Sequence, residues 1–298
     1  MKIQRPTRAM GTHHRHRDNH VRGYRALIPF SKPQLPGLLF ATWKVLIACQ
    51  AQNLVVNGSF ELPKVTQPAS FSDFAARDLW PWQTKEASFE LWTNGFYGTR
   101  YIPKIPSPTY SADGGQNLEL LANAGTNTIW QTVPTVPNEL YNLSFYHTPR
   151  PNQHSQLTVS ITSAQQFVFD ENGLTLTAFR WQRFSTTFHA MSNFTTLAFT
   201  DVAIPGGSGT STGAGTHLDG VVLQHIPRLV VQSSTVSALS GSWLGVSNET
   251  YQLQYLTALT STNWVDLGPS LTGNNTTHFF TDAITNAPAK FYRLRVAP

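Results

Sequence analysis

The sequence predicts an all-β protein, a jelly-roll sandwich followed by a second, smaller β-sandwich, and three observations carry that prediction. From Asn53 onward, short runs of alternating apolar residues are separated by turn-forming residues, the pattern of strands with one buried face. No long window shows the 3.6-residue apolar period of a helix. Charged residues make up only 12% of the chain, half the usual share of about 25%. Ser, Thr, Asn, Gln and aromatic residues are abundant instead, a profile that suits an extracellular β protein. With 298 residues there is ample chain to bury the core of one large or two medium domains.

Residues 1–51 read as a leader. The first 36 are basic and proline-dotted, with His13, His14, His16 and His20 set between arginines. They lack acidic or cysteine partners, so a disordered leader is a better reading than a metal site. Residues 38–49 are an apolar run too short for a membrane-spanning helix but of the length of a signal-peptide core. Lys44 interrupts it. Two outcomes stay open: cleavage after Ala51, leaving Gln52 first, or a lipoprotein in which Leu46-Ile47-Ala48-Cys49 is a lipobox and Cys49 carries a lipid anchor. Either way the expected location is secreted or cell-surface. The long basic stretch before the apolar run is also compatible with a true start downstream of Met1.

Residues 52–227 are expected to form the jelly roll. Asn57-Gly58-Ser59-Phe60-Glu61 is read as its opening, a turn pair followed by a buried-type Phe and a lone Glu at the start of a strand. The runs Leu118-Glu119-Leu120-Leu121, Ile129-Trp130-Gln131-Thr132-Val133 and Tyr141-Asn142-Leu143-Ser144-Phe145-Tyr146 follow as strands. So do Leu157-Thr158-Val159-Ser160-Ile161, residues 184–188, 195–199 and 218–223. A period of two sends Tyr141, Leu143 and Phe145 to the core, and Asn142, Ser144 and Tyr146 to the outside. Leu157, Val159 and Ile161 point in by the same rule. Small polar residues would leave an outer sheet surface on which Tyr146 stands clear. The glycine-rich residues 206–215 lack the Lys-Ser/Thr of a phosphate loop. They are expected to be a long loop within this domain.

Residues 228–298 repeat the pattern on a smaller scale, with strands at 251–255, 263–267, 278–282 and 291–296. The single cysteine, Cys49, leaves no intramolecular disulfide, so packing or metal must hold the fold. Charge excludes another class of function. Residues 1–50 carry nine Lys/Arg and one acid, a net +8, and the rest carry twelve against fifteen, a net −3, which together give the +5 of the whole chain. The basic character belongs to the leader, so no nucleic-acid partner is expected.

The first domain resembles the galactose-binding-domain-like sandwiches, specifically the carbohydrate-binding modules and a related family of unnamed function from plant cell-wall and bacterial exported proteins. The resemblance rests on Asn57 to Glu61, Trp82, Phe89-Glu90-Leu91 and Gly115-Gln116-Asn117-Leu118-Glu119-Leu120. It continues through Ile129 to Val133, Tyr141 to Phe145, Trp181 with Phe184 to Phe188, and Leu218-Asp219-Gly220-Val221. The chain departs from that family in having Asp219-Gly220 where two acids are frequent, and in lacking the cysteines of the plant members. The smaller unit is similar to C-terminal sandwiches of exported environmental-bacterial proteins.

The resemblance implies a structural calcium held by Glu61 and Asp219, near the two ends of the domain, with backbone carbonyls completing the six to eight oxygens the ion takes. The alternative is that each carboxylate caps a turn or pairs with an Arg. It also implies a polysaccharide or glycan partner, and sugar binding needs an aromatic platform ringed by amides and charged groups. Trp92, Asn94, Phe96, Tyr97, Arg100 and Tyr101 crowd a stretch rich in Gly and Pro that is expected to be a loop. Tyr146 and His147 sit where a strand meets a proline turn. Trp80 and Trp82 read as packing residues. Glu86, Glu90, Asp113 and Glu119 are the carboxylates available for hydrolysis, but Glu90 and Glu119 lie in strand motifs, and no Ser-His-Asp order, nucleophile elbow or His-Glu-x-x-His occurs. The expectation is an exported, non-catalytic carbohydrate-binding protein. A structural or adhesive surface protein is the alternative, with a polysaccharide-active enzyme third.

Overall fold

A computed structural model describes residues 44–45, 52–67, 70–96, 108–120, 125–162, 165–204, 214–235, 237–247, 249–284 and 289–297. The leader, apart from its two-residue strand, and residues 97–107 and 205–213 lie outside the described residues. The strands in chain order are β1 (Lys44–Val45), β2 (Phe71–Ala75), β3 (Gln83–Thr84), β4 (Ser88–Thr93), β5 (Gln116–Glu119), β6 (Thr126–Pro134) and β7 (Leu140–Pro149). They continue as β8 (His154–Ile161), β9 (Gln165–Asn172), β10 (Gln182–His189), β11 (Phe194–Ala203), β12 (Thr216–Ile226) and β13 (Val230–Ser234). The last are β14 (Ala238–Gly245), β15 (Thr250–Leu256), β16 (Val265–Asp266), β17 (Leu271–Thr272), β18 (Thr276–Ala283) and β19 (Phe291–Ala297). The protein is an all-β sandwich.

A six-stranded sheet in the order β10-β7-β12-β5-β4-β2 faces a five-stranded sheet in the order β3-β6-β11-β8-β9. Their inner faces share one apolar core: Leu91, Leu118, Leu143, Phe145 and Leu218 from the first meet Ile129, Leu157, Val159, Leu197 and Phe199 from the second, all fully buried. Burying an aliphatic or Phe side chain contributes about 1.5–3 kcal/mol, so this alternation outweighs the weak strand preference of the intervening Ser and Asn, and the β-branched Thr favours the strand itself. A second, smaller core gathers Leu229, Leu239, Trp243, Tyr251, Leu253, Tyr292, Leu294 and Val296. It lies between β13-β14-β18 and a sheet in which β19 pairs β15. The leader strand β1 adds to β19 in parallel.

The opening motif departs from expectation. Residues 53–65 form no strand. They are a knotted turn in which Asn57 and Phe60 adopt left-handed backbone, with φ of 54° and 52°. The Asn57 side chain donates to the Leu62 carbonyl and accepts from the Leu62 N–H. Phe60 is buried against Trp82, whose indole N–H donates to the Asn57 carbonyl. The short asparagine side chain supplies the turn chemistry, and the Phe supplies its anchor. Trp82 is the packing residue expected, whereas Trp80 is 78% exposed.

Alternation alone would also misplace β12. A strict period of two from Leu218 would send Gly220 and Val222 inward and expose Val221 and Leu223. The register instead slips between Asp219 and Val222, with Gly220 at φ 55°. One extra residue resets the phase, so Leu218, Val221 and Leu223 are all buried. An L side chain at Gly220 would be strained by that φ and would meet the Tyr146 ring at 3.0 Å. Gly220→Ala is therefore expected to lower unfolding free energy by about 1–3 kcal/mol, measured by urea denaturation. Wild-type stability in this variant would refute the bulge as a requirement of the fold.

Candidate functional site

The outward face of the six-stranded sheet collects the chain's polar side chains, because its inward positions are taken by the core. Strand pairing sets Asp73, Glu90, Glu119, His217 and Thr148 in one row across five strands. Phe71, Trp92 and Asn117 lie beside them in the next. Further along β12 and β7, and onto β10, the rows are Asp219, Tyr146 and Arg183, then Val222, Ser144 and Ser185, then Gln224, Asn142 and Thr187. The first part of this face is covered and the second is open.

Under the cover, Trp92 is fully buried. Phe96 meets its ring edge-on at 4.5 Å, Phe179 stacks at 6.0 Å, His217 lies at 4.6 Å and the Arg150 guanidinium at 4.9 Å. The Trp181 indole donates to the Tyr110 carbonyl at 2.6 Å and ties the covering segments together. Arg150 also donates to Glu119 at 2.7 Å, and the Gly215 N–H reaches the same oxygen at 3.2 Å. Trp92 donates its indole N–H to Glu90.

Glu90 and Glu119 are buried cross-strand neighbours and cannot both hold a charge cheaply. Burial, the charge of Glu119 and a hydrogen bond with it push the Glu90 carboxyl up to about 9. Burial opposes ionisation of Glu119 too, but Arg150 outweighs it and holds that group below its usual value. The pair thus keeps one proton, on Glu90. Burial drives His217 down to about 3, so its ring is neutral. Its Nδ1 lies 2.8 Å from Asn117 Oδ1, an acceptor, which places the ring proton on Nδ1. Two carboxyl groups in hydrogen-bond contact leave no room for a glycosidic bond, since glycosidases set theirs about 5–9.5 Å apart.

Glu61 and Asp219 grip one turn from two sides. Glu61 Oε1 accepts the N–H groups of Gly115 and Gln116 at 2.6 and 2.9 Å. Asp219 Oδ2 accepts those of Ala112 and Asp113, both at 2.8 Å, and Oδ1 accepts that of Gly220 at 2.7 Å. Five backbone donors thus engage the two carboxylates, which is the turn-capping alternative in geometric form. Burial, against those N–H bonds and with Asp113 adding repulsion, pushes Asp219 up to about 8. Among the described residues no group of three His, Cys, Asp or Glu side chains is gathered as a metal-ligand set. A calcium ion would have these two carboxylates and the nearby Asp113 to draw on, with the N–H donors competing for the same oxygens.

On the open part, Tyr146 is half-buried with its ring over Gly220. Arg183 is exposed and donates to Ser144 Oγ at 3.3 Å. Ser185 donates to Asn142 Oδ1 at 3.0 Å. Several expected ligand residues lie elsewhere. Trp92 closes a strand rather than occupying a loop, and with Phe96 it forms a buried cluster whose rings face other side chains. His147 points inward by the same period of two that sends Tyr146 outward, and it is buried against Glu171 and Phe169. Asn94 is exposed but holds the same turn as Asp219, donating to the Gly114 carbonyl and accepting from the Ser111 N–H. Tyr97, Arg100 and Tyr101 lie outside the described residues. Arg183, Ser185 and Asn142 went unselected, because only the pairing of β10 with β7 brings them beside Tyr146.

A family model described as a protein of unknown function, DUF642, matches residues 53–208. Among solved structures, TmCBM61 in complex with β-1,4-galactotriose is 13% identical over 59% of this chain and 99% of its own, with a TM-score of 0.35. A CBM4 structure is 12% identical over 57% and 98%, at 0.27. A native family 35 carbohydrate-binding module from Clostridium thermocellum is 11% identical over 52% and 97%, at 0.29. Likenesses this distant identify neither ligand nor site. No curated protein matches.

The covered cluster generates two expectations. Arg150→Met leaves Glu119 buried without its cation and should cost about 3–5 kcal/mol in chemical denaturation at pH 7; a loss under about 1 kcal/mol would refute the pairing. Glu90 keeps its proton to about pH 9 when folded but releases it near pH 4.3 when unfolded. Its share of stability is therefore full below the unfolded value and falls as pH rises towards 9. Glu90→Gln should flatten that decline, read as melting temperature against pH from 5 to 9, and an unchanged slope would place the proton elsewhere.

Proposed function

The chain belongs to the DUF642 family, whose model matches more than half of it, and from that premise and the open sheet face we propose that it is an exported, non-catalytic carbohydrate-binding protein acting at the cell surface or in the extracellular matrix. The observation that carries this reading is Tyr146, an aromatic ring on an outward sheet face beside Arg183, Asn142 and Ser185. The C–H face of a pyranose packs on such a ring, while guanidinium, amide and hydroxyl groups pair with its hydroxyls. The polar neighbours are already held by bonds to one another, which lowers the entropy lost on binding. The face is open, so it suits one strand of a longer glycan better than an enclosed sugar.

The non-catalytic part of the reading is supported by the covered, buried carboxyls of Glu90 and Glu119. Export rests on the apolar run at residues 38–49. Calcium at Glu61 and Asp219 belongs to the same proposal, as a structural ion that would favour the charged form of Asp219.

Affinity electrophoresis against soluble polysaccharides, and pull-down on insoluble ones with calcium present, test the binding. Tyr146→Ala is expected to weaken it about tenfold, roughly 1.4 kcal/mol, with the melting temperature little changed. Binding that ignores this substitution, or no binding to any glycan, would overturn the proposal. For the ion, calcium should raise the melting temperature of the native chain and not that of Asp219→Asn; equal shifts, or none, would remove it.

A further inference from the structure

We propose that His225 is a pH-dependent clamp between the two β units, joined as an imidazolium to one carboxylate from each and losing one of those contacts when it deprotonates. His225 lies near the end of β12, in the larger unit, and its side chain is fully buried. Its Nε2 is 3.2 Å from Glu139 Oε2, which belongs to the turn leading into β7. Its Nδ1 is 3.1 Å from Glu249 Oε2, in the turn between β14 and β15 of the smaller unit. A carboxylate only accepts hydrogen bonds, and a neutral imidazole carries a single N–H. Two carboxylate contacts on opposite ring nitrogens therefore need both nitrogens protonated.

The parts around the ring are held by hydrogen bonds on both sides. Tyr141, in the core of the larger unit, packs against His225 at 5.3 Å. Its hydroxyl accepts the Val136 N–H at 2.8 Å. On the other side Tyr251, in the core of the smaller unit, donates its hydroxyl to Glu249 and accepts the Val246 N–H at 2.8 Å. The groups placed around the ring include Glu139, Glu249, Tyr141 and Tyr251. His189 bonds the carbonyl of Asn138, next to Glu139, and Arg228, three residues beyond His225, is exposed. A line of buried side chains runs from one core through the imidazole into the other. The only described chain link between them, residues 227–229, is short.

Burial works against charge on His225, but its hydrogen bonds with Glu139 and Glu249 outweigh that and raise its pKa above the ordinary 6.5. A raised folded value means the contribution is complete below the unfolded pKa and is lost as pH rises through the folded one. The ring's hold on the two carboxylates is thus complete in mildly acidic surroundings and weakens towards alkaline pH, when a neutral ring has one N–H to share between them.

The test uses the full chain and the variant Glu139→Gln. This side chain is 21% exposed, so the substitution keeps its shape and does not threaten either core. The His225 ring proton, followed by NMR against pH, is expected to titrate above 6.5 in the native chain, with a lower midpoint in the variant. Calorimetry should show the unfolding of the two units drawing apart as pH rises from 5.5 past the His225 midpoint in the native chain, with a smaller change over the same range for Glu139→Gln. A midpoint at or below 6.5, a midpoint the variant does not move, or identical calorimetric traces would overturn the clamp. Glycan binding through Tyr146 is a separate readout, so failure of one proposal is distinguishable from failure of the other.

Discussion

The phase of β12 is the constraint on which the rest of this structure depends. A strand shows alternate side chains to opposite faces, and β12 lies inside the six-stranded sheet with both faces in use. Inward it must supply Leu218, Val221 and Leu223 to the core. Outward it must place His217 under the aromatic cover and Asp219 on the turn at Ala112 and Asp113. No unbroken period of two does both. The bulge at Gly220 satisfies them by shifting the phase once, and Tyr146 occupies the space left where a Cβ would stand.

From that shift follows the division of the outer sheet face. On one side of Asp219, polar groups are buried and each is assigned a partner: Glu119 has Arg150, Glu90 has a proton, and His217 has Asn117. Buried charge is tolerable only when paired and hydrogen-bonded, so the covering segments with Phe96 and Phe179 belong to the same device as the carboxylates. On the other side, Arg183, Ser185 and Asn142 stay wholly or partly accessible in register with Tyr146, and Ser144, though buried, bonds to Arg183. One sheet face thus holds a sealed polar interior and an open polar surface, separated by the turn that Glu61 and Asp219 hold.

Much of the fold was legible in the chain. Alternation placed Leu157, Val159 and Ile161 inward and Tyr146 outward, because burying apolar area dominates strand orientation. Strands β9 and β14 were not read. In β9 the apolar positions are half-exposed or exposed, and β14 carries small residues, Ala238, Ser240 and Gly241, whose place is set by contact with β13 and β18. The ligand residues were less legible still. An aromatic cluster such as Trp92 and Phe96 looks the same in sequence whether its rings meet a sugar or each other.

By itself, the sequence determined the all-β character and the placing of the basic charge in the first fifty residues. Each of these follows from composition or from short-range periodicity, which are properties of a linear string. Tertiary structure alone decided that Trp92 is covered, that Glu90 and Glu119 share a proton, that Arg183 stands beside Tyr146, and that His225 meets a carboxylate from each unit. Those outcomes depend on strand order and register, which bring together residues as far apart as Glu139 and His225, 86 positions in the chain. The free energy of a charge or a ring is set by what surrounds it, and only the folded chain supplies those surroundings.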